Sequence, residues 1–287
     1  MIRFEYLEPT TLDEAVALLA RYGDKAQVLA GGTDLLVEIR EHLRRPQYVV
    51  NIKRVPGIDG LSYDSIEGLR VGAAVTARTL ELMPEVRQNY LGLAQALREL
   101  GSIQVRNRAT LAGNICRASP SADTLPPLIA DGARLRLHGG AGVRDLPLEQ
   151  FFTGPGRTQL RRDELLTEIV VPPPPAHCGR AYIKHGRRKA MELATVGVAV
   201  SVALENGRCR EARICLGAVA PTPIRARQAE ALLAGEVPDP ARLAKAARAA
   251  RDESRPISNV RGSAEYRREM VEVLTRRALE QAVQAVS

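Results

Sequence analysis

Apolar and polar segments alternate along the N-terminal part of the chain in a way that predicts strands and helices in turn. Thr11 and Glu14 stand directly before an apolar stripe at helical spacing, which is typical of a capped helix start. An apolar run at residues 27–30 predicts a short buried strand, and residues 35–43 return to helical spacing. Because another apolar run follows at 48–52, this segment predicts a small parallel sheet.

Consecutive prolines at residues 172–175 form the clearest linker, since proline lacks the N–H group that a helix or a central strand requires. Before them, an amphipathic helix over residues 91–100 and several apolar runs predict a second α/β unit. Its predicted strands are 69–73, 133–138 and 169–171.

Beyond the prolines, apolar runs at 196–204 and 213–219 predict strands of a hairpin-like sheet. The predicted helices that follow are 226–233, 240–250 and 265–286. The chain is therefore predicted to be an α+β protein in three parts. They are an N-terminal α/β subdomain (1–54), a second α/β subdomain (55–175) and a C-terminal domain of antiparallel sheet plus helices (176–287).

Composition narrows the class of protein. Apolar residues make up 45% of the chain, enough for sizeable cores, but aromatic residues make up only 3% and the net charge is +8. The basic residues are scattered without aromatic side chains between them, which disfavours a nucleic-acid surface. The longest apolar run is too short to span a membrane, and charge in the first five residues argues against a signal peptide. We expect a cytoplasmic protein.

The cysteines argue against a metal centre in this chain. None of them forms a C-x-x-C pair, and no histidine stands at ligand spacing. Scattered thiols of this kind are typical of reduced core residues, so neither a metal site nor an iron–sulfur cluster is predicted here. The four positions are Cys116, Cys178, Cys209 and Cys215.

A first candidate for ligand binding is Ala30-Gly31-Gly32-Thr33-Asp34, which lies between a predicted strand and a predicted helix. Two glycines permit positive φ and remove Cβ atoms that would obstruct a ligand, and free N–H groups at a helix start suit a phosphate. The segment lacks the third glycine of a dinucleotide fingerprint and the Gly-Lys-Ser/Thr of a Walker loop. Taken alone, the segment is better explained as a tight strand-to-helix turn without a ligand, because two glycines before a helix are common.

A second candidate is the polar stretch 101–123, which concentrates small residues, hydroxyls and amides. Backbone N–H groups around Gly113 and Asn114 are expected to cradle a pyrophosphate, and Asp123 to accept hydrogen bonds from sugar or ribityl hydroxyls. An irregular surface loop is the alternative, but its length and polarity favour function.

These motifs, with Gln104-Val105-Arg106-Asn107, Thr110–Ile115 and the later Ala218–Ala226, resemble the FAD-binding (medium) subunit of the xanthine dehydrogenase and carbon monoxide dehydrogenase family of molybdenum hydroxylases. The resemblance covers essentially the whole chain. It implies an FAD-binding fold of the vanillyl-alcohol oxidase (PCMH) type, with a C-terminal domain that covers the flavin.

The resemblance also implies the cofactor-binding residues. The first loop would bind the pyrophosphate and the second motif would close on it, through Leu29, Ala30, Gly31, Gly32, Thr33, Asp34, Thr110, Gly113 and Asn114. Asp123 would hold cofactor hydroxyls and Leu166 would pack near the adenine. Lys184 would approach the isoalloxazine ring, with Leu100 and Leu193 at its edge. Without the resemblance, Lys184 is explained as part of a solvated basic run with residues 187–189.

The resemblance further implies partners: a small subunit with 2Fe–2S clusters and a large molybdopterin subunit, expected as a dimer of heterotrimers. Electrons would pass from the clusters through FAD to NAD or another acceptor. Relatives that reduce NAD often carry an aromatic at Leu100 and an aspartate at Met191, so the acceptor stays open between NAD, a quinone and oxygen. The alternatives are a self-sufficient flavin oxidoreductase and a nucleic-acid-binding protein.

Overall fold

Three β-sheets, one two-stranded hairpin and the helices around them make up residues 3–286, the part of the chain that a computed structural model describes. The N-terminal sheet is parallel, as predicted, with strand order β1-β3-β2. Its elements are β1 (Glu5–Leu7), α1 (Leu12–Tyr22), β2 (Ala26–Leu29), α2 (Leu35–Arg40) and β3 (Tyr48–Asn51), with 3-10 turns at Gly23–Lys25 and Ile52–Arg54. The Thr11 side chain accepts a hydrogen bond from the N–H of Glu14 and caps α1 as expected.

The second sheet is antiparallel, with strand order β4-β5-β10-β6-β7. Its strands are β4 (Leu61–Asp64), β5 (Gly68–Gly72), β6 (Arg134–Gly139), β7 (Gly142–Pro147) and β10 (Leu165–Val171). A 3-10 turn at Leu148–Gln150 leads into the hairpin of β8 (Phe152–Gly154) and β9 (Arg157–Thr158).

Six helices separate β5 from β6 and pack into the main core. They are α3 (Ala77–Leu82), α4 (Pro84–Asn89), α5 (Leu91–Glu99), α6 (Ile103–Arg106), α7 (Leu111–Arg117) and α8 (Leu125–Ala130). The alternative that 101–123 is an irregular surface loop is wrong for about half of its length, because α6 and α7 lie within it. Ser102 and Thr110 cap these two helices through their side-chain oxygens, which is how such polar sequence forms helix.

The C-terminal domain places three helices against a four-stranded antiparallel sheet with the order β11-β12-β13-β14. Its elements are β11 (Cys178–His185), β12 (Val196–Glu205), β13 (Arg208–Gly217), β14 (Ile224–Arg225), α9 (Arg227–Ala231), α10 (Pro240–Glu253) and α11 (Ala264–Gln284). Strand β11 was not predicted. The prolines 172–175 lie outside helix and strand, as predicted, and Tyr90 donates its hydroxyl hydrogen bond to the Pro172 carbonyl at 3.0 Å.

Cysteine placement differs in part from the expectation of four core thiols. Cys209 and Cys215 are buried, Cys178 is half-buried and Cys116 is exposed on α7. Within residues 3–286, no helix is long and apolar enough to cross a membrane, and no three His, Cys, Asp or Glu side chains cluster as metal ligands. The predicted domain boundaries at 54/55 and 175/176 stay predictions.

Candidate functional site

The glycine turn after β2 packs directly against the second motif. Gly32 has φ +76°, a left-handed backbone conformation that suits glycine. A Cβ atom on Gly31 would lie 2.9 Å from the Ala109 Cα and still closer to the Arg108 carbonyl oxygen. Glycine at position 31 is therefore what allows the two motifs to meet.

Three consecutive N–H groups in this turn have no partner. The backbone N–H groups of Gly32, Thr33 and Asp34 donate no hydrogen bond to any residue between 3 and 286. Asp34 begins α2 without a side-chain capping bond. Since backbone N–H groups in proteins are normally satisfied, this turn is suited to bind an anion.

Two cations lie beside the same turn. The Lys53 ammonium donates a hydrogen bond to the Ala30 carbonyl at 3.0 Å. Partial burial and the nearby Arg108 guanidinium both lower the pKa of Lys53. Neither Lys53 nor Arg108 makes an ion pair within the described part of the chain. Glu8 acts in the opposite sense on the pKa of Lys53, but it already pairs with Arg54 at 3.4 Å. Like charges held close together favour a negatively charged ligand.

The second motif is more self-contained than expected. Thr110 accepts the Gly113 N–H through Oγ1 at 3.0 Å and the Asn114 N–H through its carbonyl at 3.0 Å. These two N–H groups are therefore not free to cradle a phosphate, which corrects that expectation. The Asn114 Oδ1 atom accepts a hydrogen bond from the Thr124 hydroxyl at 2.7 Å.

Asp123, next to Thr124, pairs with Lys184 inside the protein. Lys184 Nζ lies 2.8 Å from Asp123 Oδ2 and donates a second hydrogen bond to the Glu99 carbonyl at 3.1 Å. The side chains of Lys184 and Asp123 are only 6% and 5% exposed. The explanation of Lys184 as part of a solvated basic run is therefore wrong, although residues 187–189 are exposed.

The Asp123 carboxylate has a perturbed acidity. Its other oxygen, Oδ1, accepts a hydrogen bond from the Tyr182 hydroxyl at 2.8 Å. Burial raises the pKa of Asp123 to about 6, although Lys184 and Tyr182 both act to lower it. Burial outweighs both partners because they replace only part of the hydration that the carboxylate loses.

Lys184 also faces an open cleft of about 270 Å³. The cleft is lined by Glu99, Lys184, His185, Gly186, Arg188, Lys189, Ala190 and Glu192. Leu193, beyond its edge, is 46% exposed, and Leu100 is half-buried at the end of α5. Arg106 of the second motif holds the C-terminal end of α5 in place. Its guanidinium pairs with Glu81 at 2.8 Å and donates a hydrogen bond to the Leu100 carbonyl at 2.8 Å.

A continuous path of contacts joins most of the predicted cofactor residues. It runs from Gly31 to Ala109, which precedes Thr110, then through Asn114 and Thr124 to Asp123, and on to Lys184 and the end of α5. Two predicted residues stand off this path. Leu166 is buried in the main core on β10, the strand against which α7 packs, and Leu193 lies in the segment after β11.

The third motif joins the domains. The Ala218 N–H donates to the Pro120 carbonyl at 2.7 Å, and Arg267 donates to the Ala218 and Thr195 carbonyls. Ala218 has φ +65°, so this sharp bend brings the C-terminal domain onto the second motif. The residues 218–226 therefore contribute to the site by placing the domain that carries Lys184.

Sequence reasoning did not select Lys53, Arg108 or Tyr182. A signal for Lys53 existed, since adjacent parallel strands end at one edge of a sheet and β3 pairs with β2 through Asn51 and Leu29. For Arg108 and Tyr182 no local pattern distinguishes the residue, because its role depends on what folding brings beside it.

A family model described as the FAD binding domain in molybdopterin dehydrogenase matches residues 2–174. A second, described as the CO dehydrogenase flavoprotein C-terminal domain, matches residues 181–282. The chain belongs to the family of FAD-binding subunits of xanthine and carbon monoxide dehydrogenases. The resemblance in sequence is thereby confirmed, as are the α+β fold, FAD as the cofactor and the class of oxidoreductase subunits.

Individual relatives of this FAD-binding subunit match along their full length. The xanthine dehydrogenase FAD-binding subunit of Escherichia coli O157:H7 is 34% identical, with 98% of this chain and 96% of the relative covered. The carbon monoxide dehydrogenase medium chain of Hydrogenophaga pseudoflava is 34% identical, with coverage of 98% and 97%. A solved structure of carbon monoxide dehydrogenase from the same organism superposes with a TM-score of 0.96 at 35% identity over 100% of both chains. Quinoline 2-oxidoreductase from Pseudomonas putida 86 superposes with a TM-score of 0.92 at 31% identity, over 99% and 98%.

Proposed function

We propose that this FAD-binding subunit passes electrons from 2Fe–2S clusters of a small partner subunit through FAD to a separate acceptor, while a large molybdopterin subunit hydroxylates the substrate. The single observation that carries the FAD site is the glycine turn, where, among residues 3–286, three N–H groups make no hydrogen bond and two cations make no ion pair. FAD supplies the exchange between one-electron and two-electron transfer, and the protein supplies position and electrostatics.

The residues present fit the pyrophosphate of FAD. Gly32, Thr33 and Asp34 offer N–H donors, and Lys53 and Arg108 offer positive charge at the same turn. Leu29, Ala30 and Gly31 hold that turn in place, and Thr110 with Gly113 and Asn114 forms the wall behind it.

Farther along the path, Asp123 has accepting capacity left for cofactor hydroxyls, since an ionised carboxylate offers about four acceptor positions. The Lys184 ammonium would lie beside the isoalloxazine ring, with Leu100 and Leu193 near its edge. Leu166 would pack near the adenine of FAD, from strand β10, against which α7 packs.

We further infer a dimer of heterotrimers with the small and large subunits. The relatives support a component of a larger enzyme, since one is a xanthine dehydrogenase FAD-binding subunit and another is a carbon monoxide dehydrogenase medium chain. NAD, a quinone or oxygen would accept the electrons at the cleft beside Lys184, whose lining carries both cations and the carboxylates of Glu99 and Glu192. A cytoplasmic location agrees with four free cysteines.

The test is purification from the native source, followed by stopped-flow reduction of bound FAD. We expect two partner subunits to co-purify, and we expect substrate to reduce FAD in the complex but not in the isolated chain. Reduction of FAD by a substrate in the isolated chain would instead establish a self-sufficient flavin oxidoreductase. An isolated chain that binds no FAD would contradict the site itself.

A further inference from the structure

Strand β11 presents three polar side chains on one face. Arg180, Tyr182 and Lys184 alternate along the strand, so their side chains lie on the same side. Each donates a hydrogen bond to an aspartate in the part of the chain before the prolines 172–175. Arg180 donates to Asp131 at 2.6 Å. Tyr182 and Lys184 both donate to Asp123 at 2.8 Å. The opposite face, with Ala181 and Ile183, packs into the C-terminal core.

Tyr182 is fixed from three sides. Its ring is 5% exposed, and its backbone N–H donates to Gln95 Oε1 on α5 at 2.6 Å. A Cβ on Gly197, in the neighbouring strand β12, would lie 3.0 Å from the Tyr182 hydroxyl oxygen. The hydroxyl thus occupies one place, between β12 and the Asp123 carboxylate.

The two oxygens of Asp123 are divided between two donors. Oδ1 accepts from Tyr182 and Oδ2 from Lys184, and Glu99 at the end of α5 is the carboxylate that raises the Asp123 pKa further. The cleft that Lys184 faces is also lined by His185, Arg188, Lys189 and Glu192. With Asp123 ionised, its pair with Lys184 carries no net charge. With Asp123 protonated, the Lys184 ammonium is left uncompensated, and the Glu99 carboxylate is too exposed to replace Asp123.

We propose that Tyr182 is a positioning residue that holds Asp123 ionised and against Lys184, so that a neutral pair rather than a free cation lies beside the bound flavin at neutral pH. This inference rests on the proposed FAD site at Lys184. A hydrogen bond to a carboxylate stabilises the charged form, so its loss favours the protonated acid. An uncompensated ammonium would then stabilise the negatively charged reduced flavin and raise its midpoint potential.

The test is Tyr182→Phe, with Tyr90→Phe as a matched control. Tyr90 is also buried, and its hydroxyl donates to the backbone carbonyls of Val171 and Pro172. Each substitution therefore removes one buried hydroxyl and its hydrogen bonds, but only Tyr182→Phe removes a hydrogen bond to a carboxylate. In the FAD-free protein, carboxyl-carbon NMR should show the Asp123 titration displaced upward by about one pH unit in Tyr182→Phe and unmoved in Tyr90→Phe.

In the FAD-bound protein, spectroelectrochemical titration from pH 5 to 9 provides the second readout. The midpoint potential of Tyr182→Phe should exceed that of the wild type between about pH 6 and pH 8, and the two should converge at pH 5, where Asp123 is protonated in both. If the midpoint potential of Tyr182→Phe equalled that of Tyr90→Phe at every pH, the proposal would be overturned. If the wild type binds no FAD, the proposed function fails, and an Asp123 titration unmoved in Tyr182→Phe would separately overturn the positioning role.

Discussion

Around Gly31, within residues 3–286, three N–H groups make no hydrogen bond and two cations make no ion pair, whereas around Asp123 the ammonium and the phenol both donate to the carboxylate. The first region is electrostatically incomplete as the protein stands, and an anion completes it. In the second region each charged group already has a partner, so a ligand there must share the hydrogen-bonding groups of Asp123 and Lys184 with the bonds they already make. The two regions should therefore respond differently to substitution: the first through cofactor affinity, the second through proton and electron equilibria.

Gly31→Ala should do the most damage, because its Cβ meets backbone rather than a movable side chain. We expect a loss of about 3 kcal/mol or more in unfolding free energy and failure to retain FAD. Gly154→Ala is the control, since its Cβ would meet only the Arg157 Cδ at 3.9 Å. Thermal melts and the absorbance ratio of flavin to protein measure both effects. A Gly31→Ala protein that melts like Gly154→Ala would contradict the close contact between the two motifs.

Removing both Lys53 and Arg108 should weaken FAD binding without unfolding the protein, because both side chains are exposed. We expect the dissociation constant to rise about 100-fold for the double alanine variant, and the salt dependence of binding to decrease. Arg54→Ala is the control for each of the two single substitutions, because it removes one positive charge from the residue next to Lys53, and Arg54 pairs with Glu8 instead. The dissociation constant is measured by fluorescence titration of FAD at two salt concentrations. Equal FAD affinities of the double variant and Arg54→Ala would show that Lys53 and Arg108 do not contribute to the FAD site.

Lys184→Met should lower the flavin midpoint potential while FAD stays bound. The decrease should be modest near pH 8, because loss of Lys184 lets burial keep Asp123 protonated and a neutral pair is replaced by a neutral acid. It should be larger near pH 5, where the substitution removes an uncompensated ammonium. Lys189→Met deletes a charge from the exposed run nearby and should leave the potential unchanged. Spectroelectrochemistry at both pH values is the measurement. A potential shift that is the same at pH 5 and pH 8 would show that Asp123 does not compensate Lys184.

The raised pKa of Asp123 predicts a dependence of stability on pH. The folded carboxyl keeps its proton up to about pH 6, whereas the unfolded one releases it near its ordinary pKa of 3.8. The folded state therefore binds more protons in this window, and unfolding free energy should fall as pH rises through it, by up to a few kcal/mol. Asp123→Asn should show a smaller fall in urea unfolding of the FAD-free protein between pH 4 and 7. An identical fall in both proteins would place the titration elsewhere.

Sequence alone predicted the elements whose apolar periodicity is uninterrupted, such as α1, the N-terminal parallel sheet and β12. It missed β11, because Arg180, Tyr182 and Lys184 are polar residues buried against aspartates, and a pattern of apolar and polar letters cannot show that pairing. It also missed α6 and α7, which are short and rely on their caps.

For the site, motif resemblance selected residues along most of the contact path, including Asp123 and Lys184. It gave no warning that Gly113 donates its N–H to Thr110, since local capping is settled only when the helix forms. Lys53 and Arg108 come together from separate segments, so their shared position beside the glycine turn is a property of the tertiary fold.

Strand β11 belongs to two cores at once, and this has a consequence for folding cooperativity. Its Ala181 face completes the C-terminal core, while Gly179 lies so close to α11 that a Cβ would collide with the Ala282 carbonyl. Its other face carries Arg180 and Lys184, whose ion pairs within residues 3–286 are with Asp131 and Asp123 of the preceding domain. Separating the halves would break both ion pairs and expose Tyr182, which packs in the main core although its neighbour Ala181 packs in the C-terminal core. The two domains should therefore unfold in a single calorimetric transition, and neither half expressed by itself should reach a native state.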